Sequence, residues 1–231
     1  MNTKYKLEDV KKKVEDAKVF LFDFDGTLVN LDKLNVDGFA IVLKDMFDIE
    51  FTREDFMKYV SGRGAKNGLI KYLNERDIED FSTKEIIHQY YINKKRLIEE
   101  QLEEEIYLIP GIEEFLTEYD GNKRNIIVTS SRKEHVKRML THFKIFDEFE
   151  IVFDRFDVVR GKPAPEAYER AMKYAGVSVE DCVTFEDSFY GLQSAQGAGL
   201  FTVGILNKGW NDDFVYQLAD YVIESYSELI E

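Results

Sequence analysis

Apolar residues first recur at helical spacing. Leu7, Val10, Val14 and Ala17 mark one face of a short amphipathic helix over 6–17, with lysines and acids on its solvated side. At 19–23 the pattern becomes an unbroken apolar run closing on an aspartate, which predicts a buried strand. From 30 to 108 there is no proline and almost no β-branched run. Apolar positions in VDGFAIVLKDMF, EDFMKYV and NGLIKYL fall at helical intervals, and STKEIIHQYYINKKRLIEEQLEEE opens with Ser82 or Thr83 and Glu85, a capping signature. This stretch predicts an all-helical insertion of about four helices.

Beyond Pro110 and Gly111, strands and helices alternate. Helices are predicted at 112–119, 132–143, 165–176 and 189–198. Strands are predicted at 124–130, 150–153, 182–186 and 201–206, with a last one near DYVIES. Such alternation implies right-handed crossovers and a parallel sheet covered on both faces. The fold class is therefore α/β, a Rossmann-like parallel sheet core with an inserted all-helical cap domain. The expected division is an N-terminal helix at 1–17 on or near the core, a core at 18–29 and 109–231, and a cap at 30–108.

A net charge of -14 argues against nucleic acid and anionic membrane as partners, since both need a basic face. No apolar run is long enough to span a bilayer, and the N-terminal stretch lacks the apolar segment of a signal peptide. A lone cysteine, Cys182, excludes an internal disulfide and suits a reducing compartment, so the expected location is cytoplasmic. Its strand-like setting predicts a structural thiol. His88, His135 and His142 fall on helical segments without partners at ligand spacing. The oligomeric state is open between monomer and small homo-oligomer.

The chemistry gathers at the C-terminal ends of the predicted strands. Asp23 and Asp25 follow the first, Thr129 to Ser131 the second, Lys162 the third, and Glu186 with Asp187 the fourth. That edge is where an open parallel sheet binds ligands. Carboxylates this close repel unless a cation joins them, and Mg²⁺ takes carboxylate, water and phosphate oxygens. A lysine adds fixed positive charge. Hydroxyls and N–H groups at Thr129 and Ser130, opening a helix, suit a phosphate oxygen; the same hydroxyls also serve as helix caps. Acids, cation, lysine and anion nest together describe phosphoryl transfer.

In their order, DFDGT (23–27), IIVTS (126–130), GKPAPE (161–166) and FEDSFYGLQSAQGAG (185–199) resemble the four motifs of the haloacid dehalogenase superfamily. The segment 30–108 is similar in position and length to that family's helical cap. The resemblance implies Asp23 as nucleophile, Asp25 as general acid and base, Thr129 as a holder of phosphoryl oxygen and Lys162 as the charge that pins Asp23. It also implies a Mg²⁺ site at Asp23, Asp25, Glu186 and Asp187, and a small phosphorylated metabolite as substrate. Ser130 would assist substrate binding. Gly191, Ala195 and Ala198 are read as close helix packing. SGRGAKNGL (61–69) is read as a Gly-rich loop whose Arg63 and Lys66 touch substrate, the plainer alternative being a helix–helix turn with solvated cations.

A magnesium-dependent phosphatase is the leading expectation. A phosphomutase resembling beta-phosphoglucomutase is the alternative, although an ungapped count puts Asn35 where mutases carry a histidine. A dehalogenase would lack the second aspartate that Asp25 supplies, and phosphonate cleavage would want a Schiff-base lysine in the cap. A binding protein that keeps the fold would be expected to have lost a motif residue.

Overall fold

A computed structural model describes residues 4–60, 65–101, 106–207 and 212–230. The chain divides into two compact units, Met1–Val29 with Leu108–Glu231, and Asn30–Tyr107.

The first unit opens with α1 (Leu7–Asp16), which buries Val10 and Val14 and places Glu8 and Asp9 in its first turn, where the helix dipole favours acids. Its far end is closed by Lys123, whose Nζ donates to the carbonyls of Glu15 and Ala17. Strand β1 (Val19–Phe22) follows, then the two-residue strands β2 (Val29–Asn30) and β3 (Tyr107–Leu108), which pair with each other. After them come β4 (Arg124–Val128), β5 (Ile151–Phe153), β6 (Cys182–Glu186), β7 (Phe201–Ile205) and β8 (Tyr221–Ile223). With β1 these form a six-stranded sheet of order β5-β4-β1-β6-β7-β8, parallel at every pairing. Strand order runs outward from β1 in both directions, so the crevice expected of a doubly wound sheet lies at the end of β1.

Every residue of β1 is buried, because helices cover both faces. Side chains alternate across a strand. Val19 and Leu21 pack with Ile126, Val128, Tyr168 and Ala171, the last two from α8 (Glu166–Ala175). On the other face, Phe20 and Phe22 meet Phe115 at ring distances of 5.2 and 6.4 Å. Phe115 lies on α6 (Ile112–Glu118). Phe22 stacks on Phe185 at 4.9 Å, and Tyr226 closes the group at 5.3 Å from Phe115. The remaining α-helices among the described residues of this unit are α7 (Lys133–His142), α9 (Phe189–Gly197) and α10 (Asp212–Leu218). Cys182 is buried among the Val19 group, and burial pushes its thiol up to about 11, consistent with a structural thiol.

The second unit is helical in its described residues apart from its strand-forming ends. It holds α2 (Asp32–Phe47), α3 (Arg53–Asp55) continuing into a π-helical turn at Phe56–Val60, α4 (Ala65–Asn74) and α5 (Thr83–Gln101). Thr52 and Asp55 form a reciprocal capping box, and Ser82 accepts the Glu85 N–H at the start of α5. Phe39 on α2 stacks on Tyr90 of α5, 4.0 Å apart and 6° from parallel. Beside that stack Asn35 is buried, and its Oδ1 accepts bonds from Tyr90 Oη at 2.8 Å and Lys94 Nζ at 2.6 Å.

The proposed loop at 61–69 is only partly within the described residues. Arg63 lies outside them. Lys66 belongs to the exposed first turn of α4, not to a loop, because the apolar spacing of Leu69, Tyr72 and Leu73, all buried, already carries helix there. Helix α10 and the β2–β3 pair were not anticipated. Among the described residues, no helix is long and apolar enough to cross a membrane.

Phe115 joins the aromatic group from beneath β1 and β6. Phe115→Ala should cost about 3–5 kcal/mol of unfolding free energy, measured by urea titration monitored by circular dichroism.

Candidate active site

Parallel register decides which residues meet. Phe22 of β1 is paired with Ile127 of β4 and Phe185 of β6. One residue further along, Asp23, Val128 and Glu186 therefore stand level at the C-terminal edge. Lys162 reaches all three. Its Nζ lies 2.6 Å from Asp23 Oδ1, 2.8 Å from the Val128 carbonyl and 2.6 Å from Glu186 Oε1. The ammonium is almost wholly buried. Burial works to lower its pKa, but Asp23 and Glu186 outweigh that and hold it well above the ordinary lysine range.

Glu186 is fully engaged. Its Oε1 also accepts the Tyr168 hydroxyl at 3.1 Å, and its Oε2 accepts the N–H and hydroxyl of Ser188 at 2.9 and 3.0 Å. Ser188 in turn caps α9 by accepting the Gly191 N–H at 3.1 Å. A Cβ at Gly191 would overlap the Glu186 carboxylate. That glycine thus makes room for the site, where sequence reasoning gave it only helix packing; Ala195 is indeed packed in the core.

Asp187 sits on the other side of the loop that follows β1. Its Oδ1 accepts the Thr27 hydroxyl and its Oδ2 accepts the Asn207 amide, both at 3.1 Å. The Asn207 amide also donates to the Gly26 carbonyl at 2.9 Å. Gly26 has a positive φ of 87°, and its turn ends where Val29 accepts its N–H. Asp25 is half-buried in this turn. Thr129 is buried just past β4, with its Oγ1 accepting the Ser131 N–H at 3.0 Å, and Ser130 is exposed.

The expected hydroxyl cap of the next helix is not formed. The N-cap of α7 is Arg132, without a side-chain cap bond. Asp154, buried after β5, instead accepts the Lys133 N–H at 3.0 Å. Asp154 and Asn207, like Tyr168 beside Glu186, were not singled out from the sequence. Asp154 follows β5 directly and Asn207 comes two residues after β7, and a polar residue at a strand end was the available signal.

Carboxylate oxygens of Asp23, Glu186 and Asp187 all lie within 4.8 Å of one another in a buried group. Burial pushes the Asp23 carboxyl up to about 7, with Glu186 and Asp25 adding to the effect and Lys162 opposing it. Three carboxylates against one ammonium leave a formal excess of two negative charges. A divalent cation balances that excess, and an all-oxygen donor set is the kind that Mg²⁺ takes. The residues fit such an ion.

The family model for haloacid dehalogenase-like hydrolases matches residues 20–205. The chain belongs to that family. This hydrolase is 28% identical over 193 residues to the protein CbbY of Rhodobacter capsulatus, covering 81% of this chain and 85% of the relative. It is 25% identical over 191 residues to the beta-phosphoglucomutase of Bacillus subtilis, with 81% and 83% covered. The crystal structure of CbbY from Rhodobacter sphaeroides in complex with phosphate superposes with a TM-score of 0.78 at 25% identity, covering 92% of this chain and 96% of that one.

The raised pKa of Asp23 has a sign that can be tested. Its folded value lies above the ordinary carboxylate value, so without metal its contribution to stability is lost as pH rises from about 4 to about 7. Thermal unfolding of chelator-treated protein should show that decline, and Asp23→Asn should remove it. Gly191→Ala should lower both stability and turnover, by about 1–3 kcal/mol for the former, as calorimetry beside a phosphatase assay would show.

Proposed function

We propose that this hydrolase is a Mg²⁺-dependent phosphatase that hydrolyses a small phosphorylated metabolite through an aspartyl-phosphate on Asp23. The observation that carries the reading is the Lys162 ammonium bonded to Asp23 Oδ1. It neutralises one carboxylate oxygen and fixes the group, leaving the other oxygen to attack phosphorus. As the Asp23–phosphorus bond forms, the bond to the leaving oxygen breaks, and Asp25 gives that oxygen its proton. Asp25 then takes a proton from the water that attacks the aspartyl-phosphate, releasing inorganic phosphate and restoring Asp23. Thr129 holds a non-bridging oxygen, with Ser130 assisting.

Asp23, Asp187 and the backbone carbonyl of Asp25 would hold the Mg²⁺, which when bound neutralises phosphoryl charge. Glu186, expected from sequence as a further ligand, receives two hydrogen bonds on each oxygen, one of them from the Lys162 ammonium, so its part in this reading is to orient Lys162 beside the metal group. The helical unit would act as the cap that reads the leaving group and limits water, with Arg63 and Lys66 contributing to substrate choice. A cytoplasmic setting accords with the phosphorylated substrate class.

The mutase alternative needs a cap group that deprotonates a sugar hydroxyl. Asn35 supplies none. An amide does not take up a proton near neutral pH, and its carbonyl oxygen already accepts from Tyr90 and Lys94. Hydrolysis of the intermediate is favoured.

A panel of phosphorylated metabolites, assayed for phosphate release with and without Mg²⁺, tests the proposal. Release independent of divalent cation would refute it, as would sustained conversion of a hexose 1-phosphate to its 6-phosphate with little free phosphate. Asp23→Asn should reduce turnover by at least about a thousandfold while the protein stays folded. Asp25→Asn should harm esters with poor leaving groups far more than activated aryl phosphates, which need little protonation; equal losses would argue against acid catalysis.

A further inference from the structure

Asn207 lies just past β7 and is buried. A buried amide is retained only where its hydrogen-bonding groups are matched, and this one bridges two functional segments. Its Nδ2 donates to the Gly26 carbonyl at 2.9 Å and to Asp187 Oδ2 at 3.1 Å. The Thr27 hydroxyl binds the other Asp187 oxygen at 3.1 Å. Each oxygen of Asp187 is thus held by a neutral donor. The packing is tight as well, since a Cβ at Gly26 would overlap the Asp187 carboxylate and reach Asn207 Nδ2 at 3.0 Å.

We propose that Asn207, with Thr27, is a positioning residue that locks Asp187 into a one-oxygen approach to the divalent cation and so selects Mg²⁺ over Ca²⁺. The proposal rests on the metal-site reading above. Ca²⁺ accepts both oxygens of one carboxylate in loose, high coordination, whereas Mg²⁺ demands near-octahedral geometry with single oxygens. Turning Asp187 to offer both oxygens breaks the Asn207 bond, the Thr27 bond or both. The lock therefore costs Ca²⁺ its preferred grip and leaves Mg²⁺ its own. It also links the metal ligand to the backbone of the turn that carries Asp25, so ligand and turn move together.

The test measures binding directly. Mn²⁺ affinity is read from its electron paramagnetic resonance signal, and Mg²⁺ and Ca²⁺ affinities from competition against it, for wild type, Asn207→Ala and Asn207→Leu. Mg²⁺ binding should weaken about 10–100-fold, the usual effect of losing an outer-shell partner, while Ca²⁺ binding weakens much less. The Mg²⁺ concentration for half-maximal turnover should rise in parallel, with most of the kcat recovered at saturation. Thr27→Val, nearly isosteric, removes the other bond and should shift the same ratio; it carries the test if the Asn207 variants fail to fold. An unchanged Mg²⁺-to-Ca²⁺ affinity ratio in folded variants overturns the proposal. A wild-type protein that binds Mn²⁺ but hydrolyses no phosphoester would refute the phosphatase reading and leave this one standing. Wild-type protein that binds no Mn²⁺ overturns both.

Discussion

One buried ammonium ties three strands together. The Lys162 bonds to Asp23, to the Val128 carbonyl and to Glu186 span β1, β4 and β6 at one level. Without that charge, two carboxylates on neighbouring strands would face each other in a nearly dry setting, where like charges repel strongly. With it, the edge of the sheet can hold acids that the core would otherwise reject. The arrangement depends on register, because a slip of one residue in either pairing would turn Asp23 or Glu186 to the opposite face.

Around that charge, neighbours fix each acid differently. Glu186 is enclosed by Tyr168 and Ser188 and turned toward the lysine. Asp187, its next neighbour in the chain, is held by Thr27 and Asn207. Adjacent carboxylates on one strand end therefore serve different partners, as the alternation of side chains along an extended chain allows. Asp154 does comparable work on the other flank, binding the first turn of α7 and the Phe156 N–H. The loop after β5 and the helix after Thr129 are thereby held together.

Much of this was legible in the sequence, and the reason is local. The run from Phe20 to Thr27 joins a buried strand, two acids and a glycine turn within eight residues, and the period of each later helix is plain. What stayed hidden depends on distance. Asn207 follows a strand, where asparagine is an ordinary turn residue; only folding shows partners that lie 20 and 181 residues away. The strands β2 and β3, two residues each, were too short to show a period. At 61–69 the glycines suggested a loop. Gly68 is instead inside α4, where a Cβ would overlap the Tyr59 carbonyl, so it permits close backbone approach within a helical unit.

The placement of β1 also governs the order in which the chain can fold during synthesis. This central strand is made first, yet its parallel neighbours are Arg124–Val128 and Cys182–Glu186. The segment Asn30–Tyr107 is contiguous and can pack as soon as it emerges from the ribosome. Until the later strands arrive, VFLF has no partner on either side, and loop closure over so long a separation slows pairing. An apolar, uncharged strand left waiting is prone to pair with another chain. Asp23 and Asp25 place charge at the end of that run, and charge beside an apolar strand opposes such pairing.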